Sequence, residues 1–212
     1  MLFRSVLTEQ IARLSKAGVV LEADEIVAFG RLLDGAQAVR GYVLRREDRL
    51  PSLAEMAGRL TEFEQLQHDI GRTFDENNEV RSSASPTLGR LRRDARGLRE
   101  RLEKRLENMA AGLKEQGSAG ENFVTLRQER YVLAILRSEM QSVPGIIQGE
   151  SGSGNTLFIE PEQVVGLNNS LREVELDIRR EIFRILAALS AQLAEGVNEL
   201  RVNVEMLAEL DS

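Results

Sequence analysis

Two apolar stripes at helical spacing constrain this chain more than anything else in it. From Pro86 onward, Leu88, Leu91, Ala95, Leu98, Leu102, Leu106, Met109 and Leu113 follow at steps of three or four residues. After Pro161, Val164, Leu167, Leu171, Val174, Ile178, Ile182, Ile185, Leu189 and Leu193 repeat the pattern. A stripe of that period makes a long helix with one narrow seam to bury, and another helix is its natural cover. The two stripes are therefore expected to pair as antiparallel helices. Ser85 stands ready as the N-cap of the first, with Pro86 at the first helical position, where its missing N–H costs nothing.

Between the stripes the period changes from helical to extended. "ENFVTLRQERYVLAILR" and "VPGIIQGESGSGNTLFIEP" hold short runs rich in Val, Leu, Ile and Tyr, broken by Gly and Ser. Strands are expected near 122–127, 130–137, 145–150 and 156–160, forming a small antiparallel meander. The fold class that follows is mainly α with a small β insertion. Long antiparallel helices carry a four-stranded antiparallel module, with helices over 1–117, the β module over 118–160 and the returning helix over 161–212.

Upstream, a first helix is expected over 3–17, with Val6, Leu7, Ile11 and Leu14 on one side and Gly18 ending it. A second runs over 23–46, and Pro51 begins a short third. A fourth spans 60–74 with Leu60, Phe63, Leu66, Ile70 and Phe74 inward, and "DENNEVRSSAS" is a loop. Aromatics are only 4% and Trp is absent, so the seams must be aliphatic. Without cysteine there is no disulfide framework and no thiolate metal site. No apolar run is long enough to span a bilayer, and "MLFRSVLTEQ" lacks the pattern of a signal peptide. The expectation is a cytoplasmic protein with no membrane partner.

The stretch Gly149–Thr156 comes within one letter of the nucleotide-binding pattern G-x-x-x-x-G-K-[ST]. Asn155 stands where that pattern requires Lys, so the charge that would meet the phosphates is absent. "TLFIEP" then reads as a strand, whereas a phosphate loop opens a helix whose free N–H groups receive the anion. Ser-Gly-Ser-Gly-Asn between apolar runs is hairpin chemistry. Nor does another catalytic arrangement appear. His68, the single histidine, falls off the Phe63, Leu66, Ile70 face, and the acids lie on helices among basic neighbours. No catalytic residue, cofactor site or metal site is expected, and the chain reads as no enzyme in itself.

Net charge is −6, which disfavours a general polyanion surface, yet the charge is segregated. Residues 86–105 hold eight basic side chains against three acids. Arg96 with Glu100, Arg99 with Glu103, and Glu100 with Lys104 can pair along that helix, so its bland reading is a solvated face. In the β module, Arg127, Arg130 and Arg137, together with the tip Ser151, Gly152, Ser153, Gly154 and Asn155, form a second candidate surface for a sugar–phosphate backbone.

The residues from Thr125 onward also carry a resemblance. "TLRQERYVL", then "PGIIQGESGSGNTLFIEPEQVVGLNNSLREVE", resembles the MutS proteins, and in particular the bacterial second type, a recombination-suppressing paralogue of mismatch-repair MutS. The specific part is S-x-S-G-x-T-L-F-I-E-P followed by V-V-x-L-N-N, here Ser151–Pro161 and Val164–Asn169. Ala134 and Leu136 stand where the family carries Pro and Lys, so a cation of the family is missing here. The resemblance implies that the helices are core and lever and the β module a clamp. It further implies DNA binding at branched or recombination intermediates, or engagement of stalled ribosomes and their rRNA. The family's ATPase domain, with its ATP and Mg²⁺, its dimerisation and an endonuclease domain that often ends the chain, would lie outside this stretch.

Overall fold

The computed structural model describes residues 2–116, 118 and 122–210, with side chains from Leu7 onward. The chain divides into two compact units, one formed by residues up to Leu88 with Arg180 onward, the other by Gly89–Arg179.

In the first unit, α1 (Leu2–Leu14) packs on α7 (Val197–Leu210), while α2 (Ala23–Leu44) packs on α3 (Pro51–Gly58) and α4 (Glu64–Thr73). Leu7, Ile11, Leu14, Leu21, Ile26, Phe29 and Leu33 are buried at its centre. The side chain of Val6, expected on the same face, lies outside the described residues. The fourth helix starts at Glu64 rather than at residue 60. The cause is Asn203 of α7, whose side-chain carbonyl accepts from Thr61 N at 2.8 Å while its amide donates to Thr61 O at 2.9 Å. That pair of bonds holds Thr61 outside the helix and delays its start. Leu60, Leu66, Ile70 and Phe74 are nevertheless buried, as their spacing requires.

The first long stripe forms α5 (Pro86–Glu115) and the second α6 (Glu162–Glu195), so the returning helix expected over 161–212 is corrected: it breaks at Gly196 before α7. Ser85 caps α5 as expected, its Oγ accepting from Leu88 N at 2.9 Å. In the second unit, Ala95, Leu98, Leu102, Leu106 and Leu113 of α5 share one core with Val164 and Leu171 of α6. Arg99 is drawn across to Glu175 of α6, at 2.6 Å.

The same core receives the sheet, made of β1 (Phe123–Arg127), β2 (Arg130–Leu136), β3 (Gly145–Glu150) and β4 (Thr156–Pro161). All pairings are antiparallel, but the order is β1-β2-β4-β3, so the expected meander is corrected. Burial explains the order. Every residue from Val132 to Ile135 and from Leu157 to Pro161 is buried, whereas Ile146 and Ile147 of β3 stay about half exposed. The two strands that are apolar on both faces take the middle, and the segment Arg137–Pro144, mostly one 3₁₀ turn, carries the chain past β4. Gly145 permits the close approach of β3, because a Cβ there would lie 2.3 Å from Glu160 O. Among the described residues no helix is long and apolar enough to cross a membrane.

Candidate nucleic-acid interface

Register assigns each strand residue to a face. Leu133, Ile135, Leu157 and Ile159 turn towards the two helices. Phe123, Thr125 and Arg127 of β1, Arg130, Val132 and Ala134 of β2, Phe158 and Glu160 of β4 and Ile146 of β3 share the outer face.

The expected site residues fall into two groups. Arg130 opens β2 and Arg137 follows its end, so roughly 20 Å of strand separates the Arg127–Arg130 end from the Arg137 end. The structure therefore brings Arg127 to Arg130, and Arg137 to the tip, but does not bring the two groups together.

At the tip, Ser151 N donates to Thr156 O at 2.9 Å, Gly154 N to Ser151 O at 2.8 Å, and Thr156 N to Ser151 Oγ at 3.1 Å. Gly154, with φ near +71°, takes the left-handed position of the turn. Arg137 closes it from the side. Its backbone N donates to Asn155 O and its Nε to Gly154 O, both at 2.8 Å, and its guanidinium pairs with Glu150. Gly152, Ser153 and Asn155 remain exposed. The stretch that resembles a nucleotide loop is thus a hairpin tip joining two strands, with no helix leaving it.

At the other end, β1 and β2 are joined by the two residues Gln128 and Glu129, with φ near 49° and 61°. This is the primed hairpin turn, which Asn-Gly fills at least cost. Arg127, exposed, lays its guanidinium 4.0 Å above the ring centre of Phe158. Arg130 is instead engaged by its neighbours. Its Nη1 donates to Glu160 Oε1 at 2.5 Å and its Nη2 to Asn169 Oδ1 at 2.9 Å.

Glu160 is only 1% exposed, and it also accepts from Gln148 Nε2 at 2.7 Å and Asn168 Nδ2 at 2.9 Å. A buried carboxylate is tolerable when it is this fully bonded. Asn168 does more. Its Oδ1 accepts from Tyr131 N and its Nδ2 donates to Tyr131 O, both at 3.0 Å. The register that pairs Leu133 with Ile159 sets Tyr131 opposite Pro161, which has no N–H to offer. The asparagine side chain therefore completes the ladder where proline cannot. Burial pushes the Tyr131 phenol above its ordinary pKa, and the Glu103 carboxylate hydrogen-bonded to it pushes it further.

Sequence reasoning missed this network. Its signal was present in a carboxylate inside the apolar run "LFIEP" and an Asn pair on an otherwise apolar helix stripe. On α5, Arg90 meets Asp94 at 3.4 Å and Arg101 donates to Gly97 O at 3.2 Å, so part of the basic row is satisfied along the helix. His68 is exposed, and no group of three His, Cys, Asp or Glu side chains among the described residues could hold a metal.

No family model matches the chain. Curated relatives do. The protein called Endonuclease MutS2 from Halalkalibacterium halodurans is 35% identical over 93% of this chain. That from Brevibacillus brevis is 38% identical over 93%, and that from Thermomicrobium roseum 34% identical over 99%. The matched stretch is about a quarter of each relative's own length, 25–26%. Over that stretch, which includes the Glu160–Pro161 and Asn168–Asn169 pairs that build the sheet onto α6, this chain belongs to the MutS2 family.

Proposed function

We propose that this chain is the nucleic-acid-contacting part of a MutS2 protein. The sheet is the clamp that touches DNA, and α5 and α6 are the levers through which contact reaches an ATPase elsewhere in the whole protein. The observation that supports this reading best is Arg127, which is held out on the exposed sheet face by an aromatic ring rather than cancelled by a carboxylate. The relatives are named as endonucleases, and an endonuclease must hold nucleic acid.

Fluorescence titration of the 212-residue chain with branched DNA, blunt duplex and ribosomes tests it. Salt-sensitive binding to DNA that weakens on Arg127→Glu is the expected result. Binding to ribosomes alone would transfer the clamp to rRNA. Binding to none of the three at low salt would leave a helical scaffold and overturn the reading. Arg130→Glu is the wrong probe for this purpose, because it frees the buried Glu160 carboxylate and acts through folding.

A further inference from the structure

We propose that the outer face of the sheet is a stacking platform for unpaired nucleobases, bounded by the Gln128-Glu129 turn. The inference rests on the nucleic-acid reading above and narrows it.

A surface that gripped a duplex by its phosphates would concentrate cations. This module does not. Its arginines 127, 130 and 137 are offset by Glu129, Glu139, Glu150 and Glu160, and two of the three are already engaged by Glu160 and Glu150. What the outer face exposes is a ring, a guanidinium and an aliphatic side chain, Phe123, Arg127 and Ile146. Phe123 is 50% exposed on β1, and Ile146 is 51% exposed on β3. Between them lie Val132, Ala134 and Phe158, packed together and closed to solvent.

The Arg127 guanidinium carbon lies 4.0 Å from the Phe158 ring centre while the residue stays exposed, so its solvent side can receive a flat group. A base set on that side would complete a ring–guanidinium–base stack, and a second base can lie on Phe123. Stacking of bases on sheet-borne rings and guanidinium planes is how unpaired strands are held. Charge agrees with that occupant. Among the described outer-face strand residues, Arg130 and Glu160 cancel, which leaves the positive charge of Arg127 to meet an anionic strand.

The turn supplies an independent observation. Two left-handed residues in succession are cheap as Asn-Gly and costly as Gln-Glu. Here the costly pair is used, beside the Arg127 stack. The Gln128 amide donates to Gln148 O at 3.4 Å, so the Glu129 carboxylate is the turn group left to accept from a base edge, which glycine could not do.

The test is a titration of the full 212-residue chain against three probes of equal length. One is a single strand carrying 2-aminopurine, another an abasic strand with the same phosphates, and the third a blunt duplex. The single strand is expected to bind about tenfold or more tighter than the abasic strand, with 2-aminopurine quenched. Phe123→Ala and Arg127→Lys, the second of which keeps the charge and loses the plane, are each expected to cost about tenfold on the single strand. Neither should change the abasic strand's affinity. Equal affinity for the single and abasic strands, or a single-strand affinity indifferent to Phe123→Ala, overturns the platform. Duplex binding with no preference for bases would overturn it while leaving the nucleic-acid reading standing, and no binding to any probe would sink both. Circular dichroism of each variant separates lost stacking from lost fold.

Discussion

Two buried asparagines show how single residues fix this fold. Asn203 joins α7 to Thr61, and Asn168 joins α6 to Tyr131, each by pairing both ends of its amide with both backbone groups of one distant residue. Truncating Asn168 leaves the N–H and C=O of half-buried Tyr131 without these partners, at roughly 1–2 kcal/mol apiece. Thr61, by contrast, is exposed, and water can replace Asn203 there. Asn168→Ala is therefore expected to cost about 2–4 kcal/mol in urea unfolding. It should also speed hydrogen exchange at the Tyr131 amide selectively. Asn168→Asp should be no milder, because it loses both donated bonds and sets a second carboxylate against Glu160. A loss under about 0.5 kcal/mol, no more than an ordinary surface change, would remove this role. Glu181 is a different case. It accepts from Arg184 at 2.7 Å and from Ser85 at 2.6 Å, and these bonds hold its pKa down to about 2 from the ordinary 4.5. A carboxylate whose pKa is lower folded than unfolded stabilises the fold above the unfolded value and loses that contribution as pH falls through the folded one. Stability should therefore decline from about pH 4.5 towards pH 2, and Glu181→Gln should flatten that part of a denaturation-versus-pH curve. An unchanged acid limb would assign the titration to other carboxylates.

Among the elements, the β1–β2 turn is where local preference and observed conformation disagree most. Left-handed backbone costs an ordinary residue on the order of 1 kcal/mol, and Asn and Gly relieve it. The double substitution Gln128→Asn, Glu129→Gly should stabilise the protein by about 1–2 kcal/mol, read as a higher Tm. If the turn contributes to binding, the same variant should bind the single strand more weakly, so stability and affinity would move in opposite directions. No rise in Tm would mean that the turn is not strained. This turn also marks the limit of what the sequence discloses. Period alone identifies α5, the start of α6 and all four strands within a residue or two, because burial of one face imposes the pattern, but it does not show the break after Glu195. It does not disclose strand order, since β3 and β4 both read as apolar runs and only their unequal burial puts β4 in the middle. Nor does it show that Arg130 and Arg137 are engaged by carboxylates 30 and 13 residues away, because such partners are set by the folded register rather than by local spacing. The start of α4 is not legible for the same reason, the deciding contact coming from Asn203.

At the scale of the whole molecule, charge separates the two units. Gly89–Arg179 holds 14 basic and 14 acidic residues, so the net −6 belongs entirely to the other unit. The net charge of Gly89–Arg179 gives a polyanion no long-range attraction, and the basic excess of residues 86–105 is a local feature of α5. Within the neutral unit, Arg99, Arg130 and Arg137 already have carboxylate partners, and Arg90 has Asp94. Among the described outer-face residues of the sheet, that leaves Arg127 to displace counterions from a phosphate backbone. Proteins that grip DNA by six to ten phosphates lose roughly a thousandfold or more in affinity between about 50 and 200 mM salt. At the sheet face one or two contacts are expected, and for a single strand the slope of log affinity against log salt should be about −0.7 to −1.4. Measured for the single strand across that salt range, such a slope would mean that planar contacts carry most of the binding. Arg127→Lys should leave the slope unchanged while lowering the affinity at every salt concentration. A slope near −6 would show instead that the exposed basic row of α5, with Arg93, Arg96 and Lys104, is the main surface, and charge reversal along that helix would then abolish binding while changes at Phe123 would not.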